Sequence, residues 1–193
     1  NCVITGCVAR CGGAVLSFYS GASGYAPLVV NSTLLGNSTS SGFALDVHNA
    51  QLTALNSIVW GSIGGAIQTG VTVSYSDIEG GFAGTGNINV DPLLDAEFRL
   101  AADSPCKDAG AVRNAAGVTG SAYVPTDDRE GEPRDATPDM GADEVGVFDS
   151  DGDGMWDSWE LANGLNPNDV TDVVSDNDHD GSVALSEFQR GTD

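Results

Sequence analysis

An all-β solenoid of stacked parallel coils, followed by a small loop-helix module, is the fold class this sequence predicts, and three observations predict it. A short unit recurs through the first 90 residues, that stretch carries almost no charge, and two acidic segments of one pattern lie near the C-terminus. The recurring unit is an asparagine, an aliphatic residue three positions later and a glycine five positions later, at residues 1–6, 31–36 and 56–61. Residues 75–80 are a degenerate fourth copy with Tyr75 in place of the asparagine. The copies start 30, 25 and 19 residues apart, which fits one solenoid turn with loops of varying length.

Each element follows from what a short strand cannot do alone. Alternating segments at 52–56 and 71–75 precede two of the copies, and second strands are expected at 13–15, 43–45 and 65–67. Such strands bury an apolar face only by stacking, at about 4.8 Å per coil. Stacking brings Ile4, Leu34, Val59 and Ile78 into one internal column and Val29, Ala54 and Val73 into another. Asn1, Asn31 and Asn56 then form a structural ladder at the bends, where asparagine tolerates left-handed backbone and its amide reaches the next coil.

The repeat resembles the right-handed parallel β-helix of pectate lyase-like proteins, and the handedness is implied by that resemblance. Asp91-Pro92-Leu93, Phe98-Arg99-Leu100, Ser104-Pro105-Cys106-Lys107-Asp108-Ala109-Gly110 and Asp139-Met140-Gly141-Ala142-Asp143-Glu144 resemble the closing segment of bacterial β-helix surface proteins. The resemblance implies a segment that covers the exposed core of the last coil and its free edge. The organisation expected is therefore coils at 1–86, a cap at 87–144 and a third unit at 145–193.

The third unit contains two twelve-residue segments, 149–160 and 176–187, that match the calcium-loop template. Calcium takes six to eight hard oxygens at about 2.3–2.6 Å, and such a loop presents positions 1, 3, 5, 7, 9 and 12 inward. In the first loop these are Asp149, Asp151, Asp153, the Met155 carbonyl, Asp157 and Glu160, with Gly154 at the sharp turn. In the second they are Asp176, Asp178, Asp180, the Ser182 carbonyl and Glu187; Ala184 at position 9 leaves that place to water. Exiting helices are expected at 155–162 and 183–190, whereas residues 141–148 and Asn166-Pro167-Asn168 make poor entering helices. Trp156 and Val183, both at position 8, are expected to pair in a small β-bridge. The pair of loops is similar to dockerin repeats and, more closely, to thrombospondin type 3-like tails of secreted bacterial proteins. Glu160 and Glu187 stand where a dockerin usually has Asp, so cohesin binding is not implied.

Charge separates the regions. The chain has 28 acidic and 7 basic residues and a formal charge of −21. Only Asp46, Asp77 and Glu79 precede position 91, while residues 149–193 carry 12 acidic residues against Arg190. Nucleic acid is excluded as a partner, and the tail repels itself unless cations neutralise it. Two calcium ions are the cofactors expected. There is no transmembrane segment in the sequence.

Cys2, Cys7, Cys11 and Cys106 admit three complete pairings, and free thiols are an equal alternative. No catalytic set is assembled from the sequence. Asp46 and His48 both point outward if Phe43, Leu45 and Val47 point in, but are read as solvated surface. Asp77 and Glu79, two residues apart on a strand, are not a glycosidase pair without a substrate cleft between them, and Asp127-Asp128 lacks the histidine and basic residues of polygalacturonases. The function expected is that of an extracellular or cell-surface calcium-binding protein with a structural, adhesive or assembly role. The alternative is the noncatalytic C-terminal part of a secreted polysaccharide lyase or glycoside hydrolase. The partners this admits are an extracellular polysaccharide or further copies of the chain stacked end to end. Further coils, or a neighbouring subunit, are expected before Asn1, and further repeats after Asp193.

Overall fold

The computed structural model describes residues 1–10, 16–19, 27–48, 51–62, 67, 70–131, 133–145 and 149–190. The chain divides into two compact units, Asn1–Glu144 and Val145–Asp193.

The described part of the first unit holds eleven short strands. They are β1 (Cys2–Thr5), β2 (Val8–Ala9), β3 (Leu16–Tyr19), β4 (Leu28–Val30), β5 (Ser32–Leu35), β6 (Ser38–Thr39), β7 (Leu45–His48), β8 (Leu52–Leu55), β9 (Ile58–Trp60), β10 (Val71–Ser74) and β11 (Asp77–Ile78). All pair in parallel, in the orders β1-β5-β9-β11, β10-β8-β4, β2-β6 and β3-β7. The register aligns Ile4 with Leu34, Leu34 with Val59 and Val59 with Ile78. In the second sheet Val29 and Val73 both align with Ala54. Leu34, Ala54, Val59, Val73 and Ile78 are buried and form one core with Leu45, Leu52, Ile67 and Val71.

The right-handed parallel β-helix expected from the sequence needs correction. The described strands are two to four residues long and lie in four separate small sheets, with no closed or continuous solenoid sheet among them. The physical reason lies at the bends. Asn31, Asn56 and Tyr75 have φ of 45°, 49° and 47°, and such left-handed residues interrupt a ladder after every few residues. The repeat spacing sets which strands become neighbours; closure needs more. The second strands are shifted as well. β7 begins at Leu45 rather than 43, Ile67 forms a single bridge to Leu45, and the expected strand at 13–15 lies outside the described residues, β3 starting at Leu16.

The asparagines do different work from a simple ladder. Asn56 Nδ2 donates to Asn31 Oδ1 at 3.3 Å, which is a coil-to-coil bond of the expected kind. The remaining amide bonds go to residues 106–144. Asn56 Nδ2 donates to the Ala111 carbonyl at 2.8 Å and its Oδ1 accepts the Ala111 N–H at 2.7 Å. Asn31 Nδ2 donates to the Asp139 carbonyl at 3.1 Å, and the exposed Asn1 donates to the Asp127 carbonyl. These are buried donors and acceptors at Asn31 and Asn56, and each lost partner costs about 1–3 kcal/mol.

The closing segment accordingly takes a course the sequence did not announce. It first extends the stack, with Ile88 bridged to Asp77, and then runs back along the column of bends as far as Asn1. Gly141 marks the closest approach. Its N–H donates to the Asn56 carbonyl at 2.8 Å, its φ is 103°, and a Cβ there would lie 2.8 Å from Ile58 Cδ1. Arg134 fastens the same region. Its Nη1 meets Glu144 Oε2 at 2.6 Å in a pair whose side chains are 2% and 1% exposed.

Several carboxyls of this unit are buried. Asp143 accepts the Leu100 N–H at 2.8 Å, and burial pushes it up to about 6. Burial also raises Asp77 and Glu144. A carboxyl whose folded pKa exceeds its unfolded value keeps its proton longer in the folded state. Its contribution is therefore fully present below about pH 4, and declines as pH rises towards 6. Lowering pH from about 7 to about 5 is expected to raise the melting temperature of the β-rich unit, and Asp143→Asn to flatten the rise. Thermal melts of the full chain in chelator, followed by circular dichroism, check this; a fall towards pH 5, unaltered in the variant, would contradict it.

Cys106 is buried and its Sγ lies 3.3 Å from Asp77 Oδ2, and burial, with the adjacent Asp77, holds the thiol far above its ordinary range. Cys2, Cys7 and Cys106 are free thiols, and Cys11 lies outside the described residues. Asp46, expected at the surface, is 3% exposed in β7, and the His48 side chain lies outside the description. Asp77 is buried while Glu79 is exposed, so the two do not share a solvent-facing site.

The second unit contains α1 (Asp157–Ala162), a 3-10 turn at Asp172–Val174 and α2 (Ala184–Arg190). Each helix starts one or two residues later than the sequence pattern indicates. Trp156 and Val183 form no bridge. Trp156 instead meets the edge of Phe188 at 5.0 Å between ring centroids, and Trp159 meets the same ring at 5.5 Å. Met155 and Ala184 are buried in the same unit.

Candidate metal centre

The first acidic loop is shaped by its own side chains. Asp149 Oδ1 accepts the Gly152 and Asp153 N–H groups at 2.8 and 3.2 Å, and its Oδ2 accepts Gly154 N–H at 2.9 Å. Asp151 Oδ1 accepts the Asp153 N–H at 3.2 Å, and Asp153 Oδ1 accepts the Met155 N–H at 2.8 Å. Each of these aspartates thus bends the backbone around itself, which is why short acidic side chains recur at alternate positions. Gly152 and Gly154 supply φ of 76° and 93° at the turns.

The folded loop brings carboxylates together. Asp149, Asp151 and Asp153 each place an oxygen within 4.8 Å of the others, and Asp153, Glu160 and Asp172 do the same. Asp153 belongs to both groups, so five carboxylates converge on one region. α1 carries Glu160 into it, fully buried. Both Glu160 carboxylate oxygens, together with Asp151 Oδ2, Asp153 Oδ2 and Asp172 Oδ1, are buried atoms without a hydrogen-bond partner in the protein. Burial, reinforced by Asp153, Asp151, Asp172 and Asp157, pushes Glu160 up to about 7, and burial likewise raises Asp151 and Asp153. Buried anions are ordinarily paired or ligate a metal. Oxygen-only donors at this density fit a hard cation.

Asp157 stands apart from both groups. Its Oδ1 accepts the Ser150 N–H at 2.7 Å and its Oδ2 accepts the Ser150 hydroxyl at 2.6 Å. Position 9 therefore braces position 2 of the loop.

The second loop repeats the scheme in a more open form. Asp176, Asp178 and Asp180 bring oxygens within 4.8 Å of one another, with Asp178 and Asp180 exposed. Asp176 Oδ2 accepts Gly181 N–H at 3.2 Å, Asp178 Oδ1 accepts Asp180 N–H at 3.1 Å, and Asp180 Oδ1 accepts Ser182 N–H at 2.7 Å. Glu187, on α2, is 7% exposed and is not part of that group. The acidic clusters of this unit can hold metal ions.

Asp172 is the residue sequence reasoning missed. It lies outside both twelve-residue templates, on the 3-10 turn between the loops. The available signal was an aspartate left over in a linker four positions ahead of Asp176. A further acidic group, Asp128, Glu130 and Asp143, lies in the first unit with Arg129 beside it; Arg129 pairs with Glu130.

Comparison with known protein families, curated proteins and solved structures finds no match. No helix among the described residues is long and apolar enough to cross a membrane.

Proposed function

We propose that residues 145–193 are a calcium module with two sites, and that the chain is a secreted or cell-surface element with a structural, adhesive or assembly role. The observation that carries the reading is Glu160: a fully buried carboxylate whose two oxygens have no protein partner, set beside Asp153 and Asp172. Asp149, Asp151, Asp153, the Met155 carbonyl and Glu160 are the proposed ligands of the first site, with Asp157 acting through water. Asp176, Asp178, Asp180, the Ser182 carbonyl and Glu187 are those of the second.

Calcium is favoured over magnesium because the donors are numerous and set on a flexible loop, whereas magnesium demands near-ideal octahedral geometry and keeps its waters. The ion would supply the positive charge that a tail with 12 acidic residues and one arginine lacks. Outside the cell calcium is abundant. A ligand present at about 100 times its dissociation constant stabilises the folded state by about 2.7 kcal/mol, a large share for so small a unit. The short parallel strands of the first ninety residues, a stretch with little charge, are then suited to holding position.

Calorimetric titration of the full chain with calcium and with magnesium tests this. Two calcium ions should bind, at least about tenfold more tightly than magnesium, and chelation should lower the melting temperature of the acidic unit. Identical melts with and without chelator, and no heat of binding, would refute it.

A further inference from the structure

We propose that Asp172 is a ligand of the first site supplied from outside its loop, and that filling this site organises the second loop. The inference rests on the calcium reading above and extends it to the order in which the sites work.

The two oxygens of Asp172 have separate tasks. Oδ2 accepts the Asn166 N–H at 2.8 Å, which fixes the carboxylate on the linker. Oδ1 is buried, has no protein partner, and the residue belongs to the group formed with Asp153 and Glu160. Glu160, fully buried with both oxygens unpartnered, points independently to a cation at that place. The first site so completed draws on Asp149, Asp151, Asp153, Glu160 and Asp172, against three grouped aspartates in the second loop. Affinity in such sites follows ligand charge and rigidity, so the first site is the tighter.

Asp172 also leads straight into the second loop. Its carbonyl accepts the Ser175 N–H at 2.8 Å, and the Ser175 carbonyl accepts the N–H of Ala184, the first residue of α2, at 2.8 Å. Asn177 closes the connection from the other side, its Nδ2 donating to the Asn163 and Gly164 carbonyls at the end of α1 at 3.1 and 3.3 Å. An ion that holds Asp172 therefore holds the start of the second loop before that loop binds anything. Occupation of the first site lowers the ordering cost of the second, which is positive coupling by preorganisation.

The test is a calcium titration of the full chain by calorimetry, with terbium luminescence sensitised by tryptophan as a second readout, on wild type, Asp172→Asn, Asp172→Glu and Asp169→Asn. Asparagine keeps one oxygen to accept the Asn166 N–H and replaces the other by an amide NH2, which removes the charge and the proposed ligand atom together. Asp169 is an exposed linker aspartate and controls for the loss of one charge. The expected result is a loss of about tenfold or more at the tighter site in Asp172→Asn, a weaker second step in the same variant, partial recovery in Asp172→Glu and little change in Asp169→Asn. Asp172→Asn indistinguishable from Asp169→Asn, with both sites retained, would overturn the inference and leave the calcium reading standing. Should Asp172→Asn fail to fold, Asp172→Glu decides: a tighter site weaker than wild type, with Asp169→Asn unchanged, upholds the carboxylate's role, and affinity equal to wild type at both sites overturns it. A wild-type chain that binds no calcium would overturn both.

Discussion

Replacing Arg134 by alanine is expected to destabilise the β-rich unit by about 3–5 kcal/mol, enough to unfold much of a marginal domain. The guanidinium is enclosed, and both of its terminal nitrogens are engaged. Nη1 donates to Glu144 Oε2 at 2.6 Å and to the Asp143 carbonyl at 3.2 Å, while Nη2 donates to the Gly141 and Ala142 carbonyls at 3.0 and 3.1 Å and to Asn1 Oδ1 at 3.1 Å. Removing it leaves Glu144 as a buried anion, still accepting the N–H groups of Asp135 and Asp139 but without a counter-charge. Arg134→Lys should recover little, since one ammonium cannot reproduce a planar fork that reaches five acceptors. Denaturant unfolding of the full chain in calcium measures the loss. A cost below about 1 kcal/mol for Arg134→Ala would show that the pair contributes no more than an exposed one.

Glu160→Gln is expected to act in opposite directions with and without calcium. In chelator the variant should melt higher than wild type, because it removes a buried charge repelled by Asp153, Asp151, Asp172 and Asp157. With saturating calcium it should melt lower, since the site loses its closing carboxylate; a hundredfold weaker first step corresponds to about 2.7 kcal/mol. The crossing of the two comparisons is the diagnostic. A purely structural Glu160 would give a shift of one sign in both conditions, and scanning calorimetry of both proteins in both buffers decides between them.

Part of this architecture was legible because it depends on local chemistry. The period of the Asn, aliphatic and Gly unit placed Ile4, Leu34, Val59 and Ile78 in one register, since a parallel neighbour repeats the inward position. The alternate aspartates of residues 149–153 and 176–180 announced acidic turns, because Asp151, Asp153, Asp178 and Asp180 each cap the N–H two residues on, while Asp149 and Asp176 cap N–H groups three to five residues on. Glu160 was legible as the last residue of the acidic pattern, on the exiting helix, and the fold brings it beside Asp153.

Other features depend on meetings between distant segments. The expected solenoid did not appear as one sheet, because left-handed bends at Asn31, Asn56 and Tyr75 divide the strands and nothing in the repeat dictates how the divided ladders join. Asp157 matched a ligand position and accepts from Ser150, a contact a template does not weigh. The return of the closing segment to Asn1, and the buried pairing of Arg134 with Glu144, required partners more than a hundred residues apart or packed in a shared interior.

Composition and period alone thus established a weakly charged stack of short strands and an acidic pair of cation-seeking loops, because these follow from residue types a few positions apart. Folding in three dimensions alone established which groups are buried, and that Asp172 lies beside Asp153 and Glu160. Burial turns a carboxylate from a solvated surface charge into one that must find a counter-charge, and no stretch of sequence records where water is excluded.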